Sequence, residues 1–500
     1  MSGSTEELRM RMAELSDLGY AAGLLHWDQQ TMMPPGGGEA RAEALATLRR
    51  VQHDRFIAPE TGAALQAART ALNGAGDDSD NSRIVAVTAR RWEKERRVPG
   101  ELAAERARAA SRAHEAWIRA RAESNFAAVA PYLERNVELM REYVACFDGF
   151  ERPYDVLLDD YEPGMKSAEV ERLFAELKSE LVPMIATLLE NAGRVDDSAL
   201  HHPTEIAQQR RLVQHVVTLM GFDPSGWRLD DAVHPFATSF GTHDVRITTR
   251  WSESYFPASL FAAMHECGHG LYEAGIAPEL QRTPLQHVES LGLHESQSRM
   301  WENMVGRGRA FSRTLAPLVE EHLGLRFEGD QLFRAVNKVA PSFIRVESDQ
   351  ATYGLHIILR FELEQALVDG SLSVADLPAA WNERFKQSFG VEVPDDAQGV
   401  LQDVHWSMGA VGYFPTYALG NLIAGQLWEK VSSDIPDLEE RIGRGELTPL
   451  REWLRENVHR HGAKFTATEL LQRVLGAPIE VGPFVRYLKA KLGEAYELEL

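Results

Sequence analysis

The chain has 500 residues, with 53 Lys and Arg against 74 Asp and Glu for a net charge of -21. That field repels nucleic acid and anionic membranes, and no apolar run approaches the roughly 20 residues of a bilayer span, so neither partner is expected. Hydrophobic residues at 44% and charged residues at 25% are the proportions of a globular protein able to bury a large core.

Met1 to Arg11 is polar and carries Glu6 and Glu7; no basic segment leads into an apolar one, so no signal peptide is expected. The two cysteines, Cys146 and Cys267, make no disulfide framework and suit a reducing cytoplasm. Pro34, Pro35 and Gly36 to Gly38 break the chain after His26-Trp27-Asp28. Asn73 to Ser82 reads as a loop, and residues 84–128, rich in Ala, Arg and Glu, as long exposed helices forming one antiparallel hairpin. Asn191 to Ser198 is a second loop. Residues 204–221 predict a helix: Thr204 caps it, Ile206, Val213, Val216, Val217 and Met220 make its apolar stripe, and Gly221 stops it. His234 to Trp251 departs from helix. Val245, Ile247 and Thr249 alternate with Arg246 and Thr248 behind a Gly-Thr-His turn, which predicts a β-hairpin. No period repeats. The expected fold is mostly α, one domain over 1–500, with a small β-sheet beside a central helix.

That central helix carries His265-Glu266-Cys267-Gly268-His269, with Pro257 and Ser259 at its start, an apolar lead-in from Phe261 to Met264, and Gly275 at its stop. Residues four apart share a helix face, so both imidazoles reach one ion, and zinc takes two such nitrogens in a tetrahedral site with an open position. The alternative is a pair of histidines beside an acid with no metal. Tyr272 and Gly275 stand where a metzincin needs Gly and His, so that subclass fails. A downstream acid on a second helix is the remaining common solution, and Leu293-His294-Glu295-Ser296-Gln297 supplies it. Val288, Leu291, Glu295 and Glu302 recur at helical spacing, with Met300 and Met304 adding apolar surface, so Glu295 faces inward. A buried carboxylate needs a partner, either the metal or Arg299 at i+4. With His265, His269 and Glu295 on the ion, Glu266 is the general base of metal-assisted peptide hydrolysis. Glu302 is the candidate partner for an imidazole ligand's second nitrogen. Cys267 points off the histidine face.

These residues, together with His26-Trp27-Asp28 and the Met-Pro-Pro segment, Asp244 to Thr248, Ile344-Arg345 with Asp349, and Gly399 to Trp406, resemble the carboxypeptidase Taq family of metallocarboxypeptidases over nearly the whole chain. Ser348 departs from the family's usual Ala. The resemblance implies a neurolysin-like helical fold split by a deep groove, with residues about 1–130 covering it. It further implies a cytoplasmic homodimer that removes C-terminal amino acids from peptides with a free C-terminus, at broad specificity. It makes Glu295 the third ligand of one Zn2+ per chain, replaceable by Co2+.

Other motifs admit two readings each. Arg345, in an apolar setting, either clamps a substrate carboxylate or pairs with Glu347 or Asp349. His405, Tyr413 and Tyr417 are candidate catalytic donors to an oxyanion, or core aromatics. Asp244 and Arg246 are candidate substrate contacts on a strand lying along the peptide, or each other's partners. Two rivals to the carboxypeptidase remain: an oligopeptidase cutting internal bonds, and a helical scaffold around a structural metal, which would need a fourth protein ligand.

Overall fold

The computed structural model of the chain describes residues 3–72 and 78–500, and among these twenty α-helices and three short strands form. The first four helices, α1 (Gly3–Thr31), α2 (Gly38–Ile57), α3 (Pro59–Ala71) and α4 (Asp80–Arg97), pack on one another. Next come α5 (Gly100–Ala122) and α6 (Ala130–Val144), paired along their lengths, then α7 (Pro153–Leu158), α8 (Ser167–Glu190) and α9 (Ile206–Met220). The strands β1 (Trp227–Asp231), β2 (Ala237–Ser239) and β3 (Val245–Thr249) precede α10 (Phe256–Gly275) and α11 (Leu291–Arg299). The remainder is α12 (Arg309–Leu323), α13 (Gly329–Ala335), α14 (Tyr353–Asp369), α15 (Leu377–Phe389), α16 (Pro415–Asp434), α17 (Leu438–Ile442), α18 (Thr448–Asn457), α19 (Ala467–Leu475) and α20 (Gly482–Tyr496). Buried apolar side chains from Leu8 to Tyr496 form one continuous cluster.

The mostly helical architecture with a small sheet beside the central helix is as expected, and its details differ in four places. The loop expected at Asn73 to Ser82 lies partly outside the described residues, and α4 already begins at Asp80, with Ser79 accepting from the Ser82 amide. Within 84–128, α4 is not an exposed helix, since it buries Ile84, Val85 and Val87; the close helix pair is α5 with α6. Thr204 does not cap α9: its hydroxyl accepts from Gln209, while Gln208 reaches back to the Glu205 amide at 3.3 Å. The predicted hairpin is present, with Ala237 opposite Ile247 and Ser239 opposite Val245, but β1 adds a parallel third strand on the other side of β3. β3 is therefore the central strand, and both edges are hydrogen-bonded within the sheet. The expected pairing of this strand with a substrate backbone has no free edge to use; Asp244 and Arg246 can offer only side chains.

Glycines set how closely elements approach α10. A Cβ on Gly270 would lie 2.5 Å from the Trp227 ring, and one on Gly268 would lie 2.7 Å from Ser298 Cα in α11. Sheet and helix thus clamp the central helix from two sides. Beyond Arg299, α11 loosens into a π-helical segment, Met300–Gly306, a form that tends to occur at functional sites.

Candidate metal centre and active site

Three helices meet at Glu295. His265 and His269 come from α10, Glu295 from α11, and α16 closes on top, where a Cβ on Gly420 would lie 2.7 Å from Glu295 Cγ. Nε2 of His265 stands 3.7 Å from Glu295 Oε2, and Nε2 of His269 stands 3.5 Å from the same oxygen. These are close to the edges of a tetrahedron around an ion bound at roughly 2.0–2.2 Å. Two neutral-capable imidazoles and one carboxylate suit zinc, so the donor set fits the ion. Among the described residues the cluster has three members; Cys267, fully buried with its thiol pushed up by burial, is not one. A closed structural site lacks its fourth ligand.

The two readings of Glu295 turn out to be compatible. Oε1 accepts from Arg299 Nε at 2.7 Å, while Oε2 faces the histidines. Burial alone would raise this carboxyl, but Arg299 first and then His265 hold it well below the usual carboxylate range. His265 Nδ1 meets Glu302 at 2.9 Å, the partner expected from the sequence. Burial works to lower His265, and the carboxylates of Glu295 and Glu302 outweigh it. Glu302 is itself gripped by Arg299 at 3.3 Å and Arg307 at 2.6 Å. His269 is oriented differently. Its ring stacks on His294 at 4.4 Å, its Nδ1 has no hydrogen-bond partner, and burial pushes it down to about 3. His294 is fixed by Glu273 at 3.0 Å.

Glu266 lies between the two imidazoles in sequence, is 7% exposed, and makes no hydrogen bond among the described residues. Burial pushes its carboxyl up to about 7, with His265 pulling the other way. A carboxyl poised near neutral and left free of partners can take a proton from water and return it.

The second cluster flanks this centre. Arg345 pairs with neither Glu347 nor Asp349; Asp349 instead accepts from the Ala351 and Thr352 amides. Arg345 donates from Nε and Nη2 to Asp403 at 3.0 and 2.8 Å, and from Nη1 to the Tyr353 hydroxyl at 3.0 Å. Arg360, fully buried, holds the other oxygen of Asp403. Burial opposes the Asp403 charge, but Arg345 and Arg360 keep it far below the usual range. His405, Tyr413 and Tyr417 come together here. The Tyr417 hydroxyl is 3.4 Å from His405 Nε2, the rings of His405 and Tyr413 are 5.3 Å apart, and the Arg345 guanidinium lies 4.9 Å above the Tyr417 ring. Burial pushes His405 down to about 4, so it is neutral at physiological pH. The bridge to the His265, His269 and Glu295 cluster is Arg299, stacked 4.2 Å over the Tyr353 ring.

Asp244 and Arg246 pair with each other at 2.8 and 2.9 Å, and the guanidinium lies over the rings of Trp27 and Phe240. Among the described residues no hydrogen bond joins this pair to His265, His269 or Glu295. Sequence reasoning assigned no role to Asp403, Arg360, Tyr353 or Tyr161, whose ring meets Tyr413 at 5.1 Å. Asp403, two residues before His405, was the one with a legible signal: a carboxylate close to a candidate donor and in need of a cation.

Known proteins match this chain along its length. The family model for carboxypeptidase Taq (M32) metallopeptidases matches residues 7–492. Thermostable carboxypeptidase 1 of Thermus thermophilus is 41% identical, with 98% of each chain covered. Carboxypeptidase 1 of Bacillus subtilis is 36% identical, with 97% of each covered. The crystal structure of the M32 carboxypeptidase from Deinococcus radiodurans R1 aligns at a TM-score of 0.94 and 36% identity, over 99% of this chain and 100% of that one. Metallocarboxypeptidase 1 of Trypanosoma cruzi aligns at 0.94 and 32%, over 98% and 99%.

Proposed function

The chain belongs to the carboxypeptidase Taq (M32) family of metallopeptidases, and from that membership we propose a zinc-dependent carboxypeptidase that removes residues from free peptide C-termini with broad specificity. The observation that carries the reading is a three-ligand cluster with a partner-free Glu266 beside it, flanked by a buried arginine with donors to spare. His265, His269 and Glu295 hold the ion. When bound, it supplies the positive charge that polarises the peptide carbonyl and acidifies the attacking water. Glu266 accepts the water's proton at its carboxylate and delivers it to the departing amine. His405, Tyr413 and Tyr417 present an N–H and two hydroxyls to the developing oxyanion.

Arg345 selects the chain end. Of its five N–H groups, three are used on Asp403 and Tyr353, leaving one on each terminal nitrogen. That pair matches a carboxylate bidentately, and Asp403 holds the fork in place. Arg246, locked by Asp244 over Trp27, is the second cation offered to the substrate. Residues about 1–130 cover the groove, a single domain spans 1–500, and the enzyme works in the cytoplasm as a homodimer; sedimentation of the purified protein reads the last point. The test of function is chelation followed by addition of Zn2+ or Co2+, with release of free amino acids from peptides as the readout. Full activity after exhaustive chelation, or release of internal fragments only, would overturn the reading.

A further inference from the structure

Between α1, α2, α4 and α5 on one side and residues 283–291 on the other lies a cavity of about 740 Å3. It meets α11, the helix that carries Glu295, at that helix's first residue. Leu291 lines the cavity, Glu295 one turn later is a metal ligand, and Arg299 one turn beyond stacks on Tyr353 of the Arg345 cluster. Cavity and the Arg345 cluster thus lie towards opposite ends of one nine-residue helix, with Glu295 between them. If Arg345 takes the terminal carboxylate, the cavity receives the residues upstream of the cleaved bond; the inference below rests on that reading.

Most cations lining the cavity are already satisfied. Arg90 and Arg91 share the buried Glu289, and Lys94 lies between Asp159 and Asp160 at 2.8 and 2.5 Å. Two are not. Arg49 and Arg106 have no carboxylate within 4.0 Å among the described residues, in a chain whose net charge is -21. Arg106 is held 3.9 Å over the ring of the buried Tyr143, so its guanidinium is positioned by stacking and not by an ion pair. Its charge also acts on Tyr161, whose ring packs on Tyr413. In an acidic protein, this cavity wall carries five Lys and Arg (Arg49, Arg90, Arg91, Lys94 and Arg106) against four acids (Glu95, Asp159, Asp160 and Glu289), a local balance opposite in sign to the global one.

We propose that this cavity is a specificity subsite for acidic side chains upstream of the scissile bond, with Arg106 the principal reader and Arg49 the second. Asp or Glu there replaces the missing carboxylate partner, and the interaction weakens with salt because the site is open to solvent.

The test compares two peptides of equal length and equal C-terminal residue, one with Glu and one with Gln at the second to fourth residues before the cleaved bond. The wild type should favour the Glu peptide about 3- to 30-fold in kcat/KM at low salt, chiefly through KM. The ratio should fall towards one in Arg106→Gln and in 0.5 M NaCl, survive in Arg106→Lys, and fall partly in Arg49→Gln, a change at an exposed position that spares the fold. Fluorescence anisotropy of the same labelled peptides reads binding without turnover, so the subsite is judged even if no C-terminal residue is released. A wild type indifferent to Glu and Gln in both assays, or a preference unchanged in Arg49→Gln/Arg106→Gln, overturns the proposal.

Discussion

Arg299 donates to one oxygen of Glu295 at 2.7 Å and leaves the other, 3.5 Å from His269 Nε2, facing the imidazoles. The arginine therefore fixes the Glu295 rotamer and with it the oxygen turned towards the imidazoles. Removing it frees the carboxylate to turn and leaves Glu302 with a weaker hold. Arg299→Gln should lower zinc affinity about 10- to 100-fold, the range for groups that orient a ligand. Competition with a chelator of known affinity measures this. Unchanged affinity would show that Glu295 is held without Arg299, by packing against Gly420 and the Ser298 hydroxyl.

The roles proposed for Glu266 as base and Glu295 as ligand separate by what each variant loses. Glu266→Gln should keep its zinc and lose about 10²- to 10⁴-fold in kcat, since proton transfer goes and the donor set does not. Glu295→Gln should lose zinc on dialysis. Metal content and kcat measured on both variants decide it; zinc lost from Glu266→Gln and retained by Glu295→Gln reverses the roles.

Gly420 is a site residue by absence. A Cβ there would sit 2.7 Å from Glu295 Cγ and 3.1 Å from the Gly292 carbonyl, so α16 and α11 must part. Gly420→Ala should cost about 1–3 kcal/mol as overpacking and reduce zinc content. Gly100→Ala, with open space around it, is the control. Equal melting temperatures and zinc content for the two would refute the close-approach argument.

How much of this was legible follows from what periodicity can encode. The i, i+4 spacing of His265 and His269 fixes a shared face on any helix, and Glu295 falls on an inward stripe; the pattern leaves its partner open between a metal and Arg299, and the family resemblance points to the metal. The strand alternation at Val245 to Thr249 was legible as well. What alternation cannot give is the neighbour: β1 arrives from 18 residues earlier, and it makes β3 central. The same holds for Arg345, whose nearest acids in sequence proved irrelevant. Its partner Asp403 is 58 residues away, held beside it by Arg360 of α14 on the same carboxylate and by Gln402, whose side chain accepts from the Arg345 amide. Long-range charge pairing is decided by packing, and a single sequence carries no trace of it beyond the residue types.

Glu364 ties the loop bearing His405 and Tyr413 to α14. It accepts from Tyr154 at 2.6 Å, Trp406 Nε1 at 2.8 Å and the Gly412 amide at 3.1 Å, yet burial pushes it up to about 7 against these three donors. Its folded value lies above the ordinary 4.5, so the native state binds this proton more tightly. Stability from this group is full below about pH 4.5 and falls as pH rises towards 7, by on the order of 1–3 kcal/mol. Glu162, also raised to about 7 by burial, adds a similar slope. Glu364→Gln should therefore lose less melting temperature than the wild type between pH 5 and 7. Parallel profiles would mean that Glu364 is ionised throughout.

An exopeptidase must reward the terminal carboxylate with an interaction that an internal amide cannot supply. In a chain of net charge -21 this requires a local cation shielded from competing acids. Arg345 meets the requirement in an unusual way: it is already paired, and Asp403 is shared with Arg360, so its positive charge is not fully spent. A peptide ending in an amide would leave the two remaining N–H groups facing a neutral end, at a cost of roughly 2–5 kcal/mol in binding and positioning. Amidated peptides should thus be cut far more slowly than the same peptides with a free end. Arg345→Lys should erase most of that preference by slowing the free-ended substrate, since an ammonium keeps charge without the planar fork. Arg345→Ala should do the same with a larger loss of stability, because Asp403 then depends on Arg360 alone. The kcat/KM of both substrates in all three proteins, with melting temperatures to confirm folding, makes the comparison. Equal cutting of amidated and free peptides by the wild type would hand the assignment to the oligopeptidase. A preference that survives in both variants would move the terminus to another donor, of which Arg246, His405 and Tyr413 are the nearest in chemistry.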